Sequence, residues 1–162
     1  MSTIAIESYR AAQQQGVIDV ILPIQQQEFG IPITLGDQPD LQDIPGFYQQ
    51  RAGNFWVALA GPEVVGTIAL IDIGRRQGAL RKMFVKDAWR GKEKGVAQKL
   101  LETLLLWSRQ QGLREIYLGT TAKYFAAHRF YEKSGFCEIP KAMLPPAFPI
   151  MAVDTKFYRF DL

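Results

Sequence analysis

Glycine and charged residues are interspersed in the middle of the chain, in the stretch RGKEKG at residues 90–95. Gly91 and Gly95 enclose three charged residues, and an amphipathic segment follows directly. The first backbone N–H groups of a helix have no partner within the helix and attract anions, and glycine lets a phosphate approach the backbone closely. The types and spacing of these residues therefore predict a site for a pyrophosphate.

The charge of the surrounding segment agrees with a polyanionic ligand. Residues 81–99 carry seven basic side chains against two acidic ones, although the net charge of the chain is only +3. A phosphorylated cofactor and a nucleic acid both fit such a segment. Nucleic acid is disfavoured, because no aromatic side chains alternate with the lysines as a stacking platform would require. A solvated helix start without a ligand is the remaining alternative, and neither a Walker loop nor a GxGxxG fingerprint is present.

Length and composition restrict the class of protein. The chain has 162 residues, 48% of them hydrophobic and 22% charged, and we assign residues 1–162 to a single globular domain. No run of about 18 apolar residues occurs, so we expect no membrane partner. Cys137 is the one cysteine, and no Cys/His cluster has the spacing of a metal site, so neither a disulfide nor a metal is expected. The N-terminal residues lack a secretion signal, and the expected location is the cytoplasm.

Hydrophobic periodicity predicts a mixed α/β fold, of the α+β kind, whose central sheet contains an antiparallel meander. Three successive strands are expected at residues 54–60, 63–74 and 78–85, joined by glycine-containing turns. Asp40 is the expected cap of the second helix, and Thr120 or Thr121 that of the last helix. The helices are expected at residues 9–27, 41–51, 95–111 and 120–134, and the other strands at 3–9, 114–120, 136–139 and 153–162. The resulting order is β-α-α-β-β-β-α-β-α-β-β.

Two motifs in this order resemble the GCN5-related N-acetyltransferase (GNAT) family. The first resembles the family's Q/R-x-x-G-x-G/A at the start of the helix after the fourth strand, and reads here Lys92-Glu93-Lys94-Gly95-Val96-Ala97 with lysine in first place. The second resembles A-x-x-x-Y-x-x-x-G-F and occurs as Ala127, Tyr131, Gly135 and Phe136. The resemblance covers residues 80–139 and implies the GNAT fold, acetyl-CoA as cofactor and an acetyltransferase activity.

The resemblance also implies how acetyl-CoA would be bound. The pantetheine arm would lie beside the strand that ends at Val85 and contact its backbone as an added strand does. The pyrophosphate would rest on the amides of the loop and the helix start, and Arg90, Lys92 or Lys94 would reach the 3′-phosphate. The implied cofactor-binding residues are Met83, Phe84, Val85, Arg90, Gly91, Lys92, Glu93, Lys94, Gly95, Val96, Ala97, Tyr124, which replaces a frequent asparagine, and Lys133.

Acetyl transfer requires a proton donor and a proton acceptor. Tyr131 is the implied general acid, because family members often use this tyrosine to protonate the departing thiolate, and a phenol with a pKa of about 10 can do so. For the general base, the sequence offers several candidates. Asp72 on the preceding strand is the first candidate, and Glu28 or a water held by backbone carbonyls are alternatives. His128 is expected on the helix surface, and Cys137 in a buried strand.

The expected function is direct transfer of an acetyl group from acetyl-CoA to a primary amine of a small molecule or a peptide. The alternative is a non-catalytic acetyl-CoA sensor or interaction module on the same fold. The acceptor would be selected by the segments before the meander and before the last strand, residues 33–48 and 141–151. Pairing of the terminal strands is a candidate route to a homodimer.

Overall fold

A mixed sheet of seven strands forms the centre of the protein. The structure, a computed structural model, describes residues 3–91, 93–122 and 124–162. The strands are β1 (Ile4–Ser8), β2 (Asn54–Ala60), β3 (Glu63–Gly74), β4 (Gln77–Val85), β5 (Glu115–Thr120), β6 (Cys137–Ile139) and β7 (Lys156–Asp161). The helices are α1 (Gln14–Pro23), α2 (Ile44–Phe47), α3 (Val96–Gln110) and α4 (Phe125–Lys133). The sheet order is β1-β2-β3-β4-β5-β7-β6, which confirms the predicted meander and order of elements.

Alternating side chains of the central strands divide the core between the two faces of the sheet. In β2, Phe55 and Val57 pack in the cluster that contains α1, whereas Trp56 and Ala58 pack in the cluster that contains α3. All four side chains are buried, because a helix covers each face. Successive strand residues point to opposite faces, so the two clusters follow directly from the sequence of β2. The meander is therefore a rigid support for the loops at its ends.

The first helical segment is less regular than expected. A 3-10 turn at Ala11–Gln13 leads into α1, which ends at Pro23, and a π-helix follows at Ile24–Glu28. Proline has no backbone N–H to donate within a helix, which explains the change of helix type at this point. The π-helix turns Gln25 and Glu28 toward the cleft between β4 and β5.

The second helix is shorter than the predicted range of residues 41–51. A 3-10 turn at Pro39–Gln42 precedes α2, which spans four residues. The carboxylate of Asp43 caps α2, since it accepts a hydrogen bond of 3.1 Å from the amide of Gly46. The prediction that Asp40 is the cap is wrong, because its side chain is buried in the interior.

The last helix begins later than predicted. Thr120 is the final residue of β5 and pairs with Lys156 of β7, so it belongs to the sheet and does not cap a helix. α4 starts at Phe125, and Tyr124 is its N-cap residue. The amide of Tyr124 donates to the carbonyl of Thr121 at 3.2 Å in the turn between the two elements. The position of Tyr124 at this turn brings its ring to the cleft.

Strands β4 and β5 diverge and leave one edge of β4 open. They pair in parallel over Gln77–Ala79 and Glu115–Tyr117, and no further pairing occurs between the described residues of these two strands. From Leu80 onward β4 pairs with β3 alone among the described strands. The backbone N–H and C=O groups that a sheet neighbour would bind therefore face the gap between β4 and β5.

A β-bulge interrupts β4 beside this gap. The register between β3 and β4 shifts between Thr67 and Ala69, and Lys82 has a φ of +53°. The hydroxyl of Thr67 donates to the carbonyl of Lys82 at 2.7 Å and holds the bulge. Bulges bend a strand and change the direction of its side chains. This bulge directs Lys82 into the interior and leaves residues 83–85 next to the gap.

Candidate active site

A cleft of about 990 Å³ opens where β4 and β5 diverge. Its walls come from β4, β5, the π-helix, the starts of α3 and α4, and the loop before β7. A volume near the upper end of the range for small-molecule sites accommodates a large ligand together with a second one. The predicted site residues that line it are Met83, Phe84, Val85, Arg90, Gly91, Gly95, Ala97, Tyr124, Tyr131 and Lys133.

The glycine-rich loop forms a cradle in one part of the cleft. Gly91 has a φ of +108° and Gly95 a φ of +63°, which are conformations that favour glycine. The carbonyl of Gly91 accepts hydrogen bonds from the amides of Lys94 and Gly95, at 3.2 and 3.1 Å. Gly95 is the N-cap of α3, so the first amides of this helix begin at the cradle. The anion site at this loop stays a prediction, and Lys92 lies outside the described residues.

Three of the residues predicted to bind the cofactor, Glu93, Lys94 and Val96, do not line the cleft, although the prediction for Glu93 and Val96 concerns their backbone amides. Val96 is 1% exposed and packs in the core beneath the first turn of α3. The ammonium of Lys94 donates to the carbonyl of Ala88 and lies 5.4 Å from the centre of the Trp89 ring. Glu93 is exposed to solvent. These side chains turn away because a helix start presents its backbone amides, and not its side chains, toward an anion.

Arg90 connects the cradle with the π-helix. Its guanidinium donates to both carboxylate oxygens of Glu28, at 2.5 and 2.7 Å, and its Nε donates to the carbonyl of Val85 at 2.8 Å. The hydrogen bonds from Arg90 are the main cause that lowers the pKa of Glu28. A carboxylate held by a bidentate arginine is a poor proton acceptor. The pair with Arg90 therefore argues against Glu28 as the base.

Tyr131 lines the cleft and is otherwise buried. The ring is 4% exposed and packs against Phe136 and Tyr158, with ring centres 5.5 and 6.1 Å away. No hydrogen bond joins its hydroxyl to any of the described residues. Burial is the main cause that raises the pKa of Tyr131 far above that of a free phenol. The hydroxyl therefore keeps its proton at neutral pH.

Tyr124 belongs to an aromatic cluster at the wall of the cleft. Its ring makes edge-on contacts with Phe29 and Phe84, with centres 4.7 and 6.1 Å apart. Burial raises the pKa of Tyr124 to about 12, and the nearby charge of Glu28 adds to this effect. The cluster joins the π-helix, β4 and α4, so it fixes the width of the cleft where the expected pantetheine arm would lie.

Asp72 lies outside the cleft. Its carboxylate accepts hydrogen bonds from the amides of Ala52 and Gly74, at 3.2 and 2.8 Å. It stands near the end of β3, where these amides are the nearest donors. The placement of Asp72 therefore contradicts its predicted role as general base. Its side chain stabilises the turn between β3 and β4 and does not line the cleft.

A buried polar network beneath the cleft was not anticipated. Lys82 is 8% exposed, lies 3.6 Å from the carboxylate of Asp40, and donates a hydrogen bond to Gln38. Asp40 also accepts a hydrogen bond from the hydroxyl of Tyr48, and Gln38 is joined to Gln25 at 2.9 Å. Burial lowers the pKa of Lys82 to about 8, although Asp40 opposes this effect. The signal in the sequence is a pair of basic residues, Arg81 and Lys82, between apolar residues of β4.

Two further expectations about titratable side chains are wrong. His128 is buried at 8% exposure, and its Nε2 lies 2.9 Å from the carbonyl of Thr121, so it belongs to the packing of α4 on the sheet. Cys137 is exposed at the start of β6. Among the described residues, no group of His, Cys, Asp and Glu could hold a metal, and no helix is long and apolar enough to cross a membrane.

Comparison with known proteins decides the family. The model of the Acetyltransferase (GNAT) family matches residues 18–136, which is more than half of the chain. The chain belongs to the GNAT family. The crystal structure of a GNAT-family acetyltransferase from Staphylococcus aureus Mu50 has a TM-score of 0.94 and 38% identity, over 98% of this chain and 99% of that one. This GNAT chain is also similar in fold to the PaiA N-acetyltransferase of Thermoplasma acidophilum, solved with coenzyme A, at a TM-score of 0.75, 16% identity and 99% coverage of both chains.

Curated relatives of this GNAT chain are longer proteins. N-acetyltransferase family 8 member 2 of Rattus norvegicus is 35% identical over 104 residues, which are 61% of this chain and 45% of that protein. N-acetylaspartate synthetase of Xenopus tropicalis is 38% identical over 101 residues, which are 60% of this chain and 36% of that protein. The chain therefore spans less than half the length of these two relatives.

Proposed function

We propose that this GNAT protein transfers the acetyl group of acetyl-CoA to a primary amine of a small molecule or a peptide. The observation that carries the proposal is that one cleft contains the glycine cradle, the open edge of β4 and the Tyr131 side chain. The cradle suits a pyrophosphate, the strand edge suits the amides of pantetheine, and the hydroxyl suits a proton donor. A protein that only binds acetyl-CoA needs the first two features and has no use for the third.

The residues of the cleft fit acetyl-CoA, which would supply the acetyl group as an activated thioester. Met83, Phe84 and Val85 would bind the pantetheine arm through the backbone edge that β5 leaves open. Gly91 and the first turn of α3 would bind the pyrophosphate. Lys133 of α4 is an exposed cation on the cleft wall and would bind a terminal phosphate.

The reaction requires one proton to be delivered and one to be removed. The amine nitrogen bonds to the acetyl carbon, the C–S bond breaks, the sulfur takes up a proton and the nitrogen loses one. Tyr131 is the residue assigned to deliver the proton, because burial keeps its hydroxyl protonated. Glu28 and Asp154 are the carboxylates among the described residues that line the cleft. Since Arg90 holds Glu28, Asp154 becomes the candidate base, and burial raises its pKa.

The direct test is release of free thiol from acetyl-CoA in the presence of amines, polyamines, amino acids and peptides. Release that depends on the amine, together with an acetylated product of the expected mass, would support the proposal. Binding of acetyl-CoA without thiol release for any of these acceptors would favour the non-catalytic sensor. A protein that does not bind acetyl-CoA at all would refute both.

Gly91→Ala is expected to weaken coenzyme A binding about tenfold. A φ of +108° strains any residue with a Cβ atom, so the substitution would distort the cradle. Isothermal titration with coenzyme A measures the change in Kd. Gly61→Ala is the matched control, because Gly61 has a φ of +59° in the turn between β2 and β3, outside the cleft residues. Equal losses of affinity in the two variants would argue against a specific cradle.

A further inference from the structure

Two arginines of the cleft wall, Arg81 and Arg129, have no carboxylate partner in the described structure, and Arg129 is exposed to solvent. Arg81 lines the cleft and is partly buried, and its Nη2 donates to the thioether sulfur of Met151 at 3.0 Å. Within the described residues, no carboxylate oxygen lies within 4 Å of its guanidinium. A thioether is a weak acceptor, and a guanidinium has five N–H donors in a fork that matches a carboxylate. Arg81 therefore keeps donors that a ligand can use.

The adjacent lysine differs from Arg81 in this respect. The ammonium of Lys82 lies 3.6 Å from Asp40 and donates to Gln38, and both partners are buried. Its charge is thus neutralised by the fold itself. Both side chains line the cleft, but Lys82 is paired within the fold, so Arg81 is the cation of this strand that remains for a ligand.

Arg81 is also separate from the expected cofactor part of the cleft. The glycine cradle begins beyond the end of β4, where Arg90 bonds to the carbonyl of Val85. Arg81 instead contacts Met151 in the loop before β7. A cation on this side would not meet the pyrophosphate that the cradle fits.

Asp154, on the loop before β7, is a carboxylate that interacts electrostatically with Arg81. Asp154 accepts a hydrogen bond of 2.9 Å from the amide of Met151, the residue whose sulfur contacts Arg81. Burial raises the pKa of Asp154, and the charges of Arg81 and Lys82 partly oppose this effect. The nearby walls include the apolar side chains of Ile31 and Phe148. A cation and an acid on the walls of one cleft, together with apolar side chains, match a ligand that has both an anionic group and an amine.

On the basis of the proposed function, we infer that Arg81 binds the carboxylate of the acceptor. The acceptor is then an amino carboxylic acid, and its amine lies toward Asp154. The apolar walls favour an acceptor with an apolar substituent over a polyamine. Arg81 acts as a specificity-determining residue, because it holds a part of the acceptor that does not react.

The experiment compares amino acids with amines that lack only the carboxylate. The standard protein amino acids are tested for binding to the complex with coenzyme A by isothermal titration, and for thiol release with acetyl-CoA. Leucine is paired with 3-methylbutylamine, and phenylalanine with 2-phenylethylamine. The proteins are the wild type, Arg81→Gln, Arg81→Lys and Arg109→Gln, whose exposed arginine in the last turn of α3 is the charge control. Thermal unfolding shows whether each variant folds.

Wild type is expected to prefer at least one amino acid over its carboxylate-free amine by about 10- to 100-fold in Kd and in kcat/KM. Arg81→Gln should abolish that preference and leave the Kd of coenzyme A within about twofold. Arg81→Lys should retain part of the preference, since it keeps the charge without the fork. Arg109→Gln should behave as wild type.

Three results would overturn the inference: no amino acid binds, the carboxylate-free amines bind or react equally well, or Arg81→Gln keeps the preference. Measuring amino acid binding and thiol release separately also distinguishes a failure of this inference from a failure of the proposed function. If amino acids bind in an Arg81-dependent way but no thiol is released, acetyl transfer to them is refuted, and the assignment of Arg81 to a carboxylate stands.

Discussion

Tyr131→Phe is expected to lower kcat for acetyl transfer by about 100-fold, with little change in the Kd of coenzyme A. The substitution removes only the hydroxyl, and the ring that packs against Phe136 and Tyr158 remains. No hydrogen bond within the described structure is lost, so the melting temperature should stay close to that of wild type. Steady-state thiol release with a saturating acceptor measures kcat, and titration calorimetry measures the Kd.

Tyr158→Phe is the matched control for this prediction. Tyr158 lies next to Tyr131, but its hydroxyl donates to Glu132 at 2.6 Å and it does not line the cleft among the described residues. This variant should lose some stability and keep its kcat. If Tyr131→Phe retains the wild-type kcat, or if both variants lose activity equally, Tyr131 does not deliver the proton.

The pH dependence of kcat gives a second check on Tyr131. Because burial raises its pKa, the hydroxyl stays protonated from about pH 6 to 9, and the active form is the protonated one. Loss of the Tyr131 proton should therefore not cause kcat to fall within this range. A decrease of kcat on the alkaline side that disappears in Tyr131→Phe would contradict the raised pKa.

Asp40→Asn is expected to lower the free energy of unfolding at neutral pH by about 3 kcal/mol. Asp40 and Lys82 are 5% and 8% exposed, and the substitution leaves a buried ammonium without its carboxylate. Denaturant unfolding measures the difference. Glu63→Gln is the control, since it removes the acid from an exposed pair with Lys86 at 3.0 Å and should cost at most about 1 kcal/mol.

The stability difference between wild type and Asp40→Asn should depend on pH. Burial lowers the pKa of Lys82 to about 8, below the ordinary value of 10.5, so the folded state binds fewer protons than the unfolded state between these values. Stability of the wild type from this group therefore rises as pH increases from about 8. Without Asp40, the pKa of Lys82 should fall further, and the same rise begins at lower pH.

The two proteins should consequently differ most below about pH 8, where Lys82 of the wild type is charged, and converge above it. A difference that stays constant across this range would show that the charge of Lys82 is not what destabilises the variant. The double variant with Lys82→Met should recover much of the lost stability, because it removes the unpaired charge.

The meander and the cradle are the parts of the structure that the sequence predicts well. The three strands β2, β3 and β4 follow the predicted ranges within one residue, since their side-chain alternation is a property of neighbouring residues. Gly91 and Gly95 adopt positive φ values, which glycine reaches without strain. Tyr131 reaches the cleft as the second motif implies.

The general base and the helix caps were harder to predict. Asp72 and Asp40 looked equivalent to other acidic residues in the sequence, but one closes a turn and the other pairs with Lys82. The structural role of a carboxylate depends on the hydrogen-bond donors and cations that surround it in space. The sequence pattern contains no information on those donors when they come from other elements.

The sequence alone determined what neighbouring residues decide: the alternation of strands, the glycines of the cradle and the position of Tyr131 on its helix. The tertiary structure decided which distant residues meet in the cleft. Arg90 binds Glu28 across 62 residues, and Arg81 contacts Met151 across 70 residues. Backbone preferences act over a few residues. These contacts, in contrast, form because β4 and β5 diverge and because the π-helix and the loop before β7 both pack beside the gap.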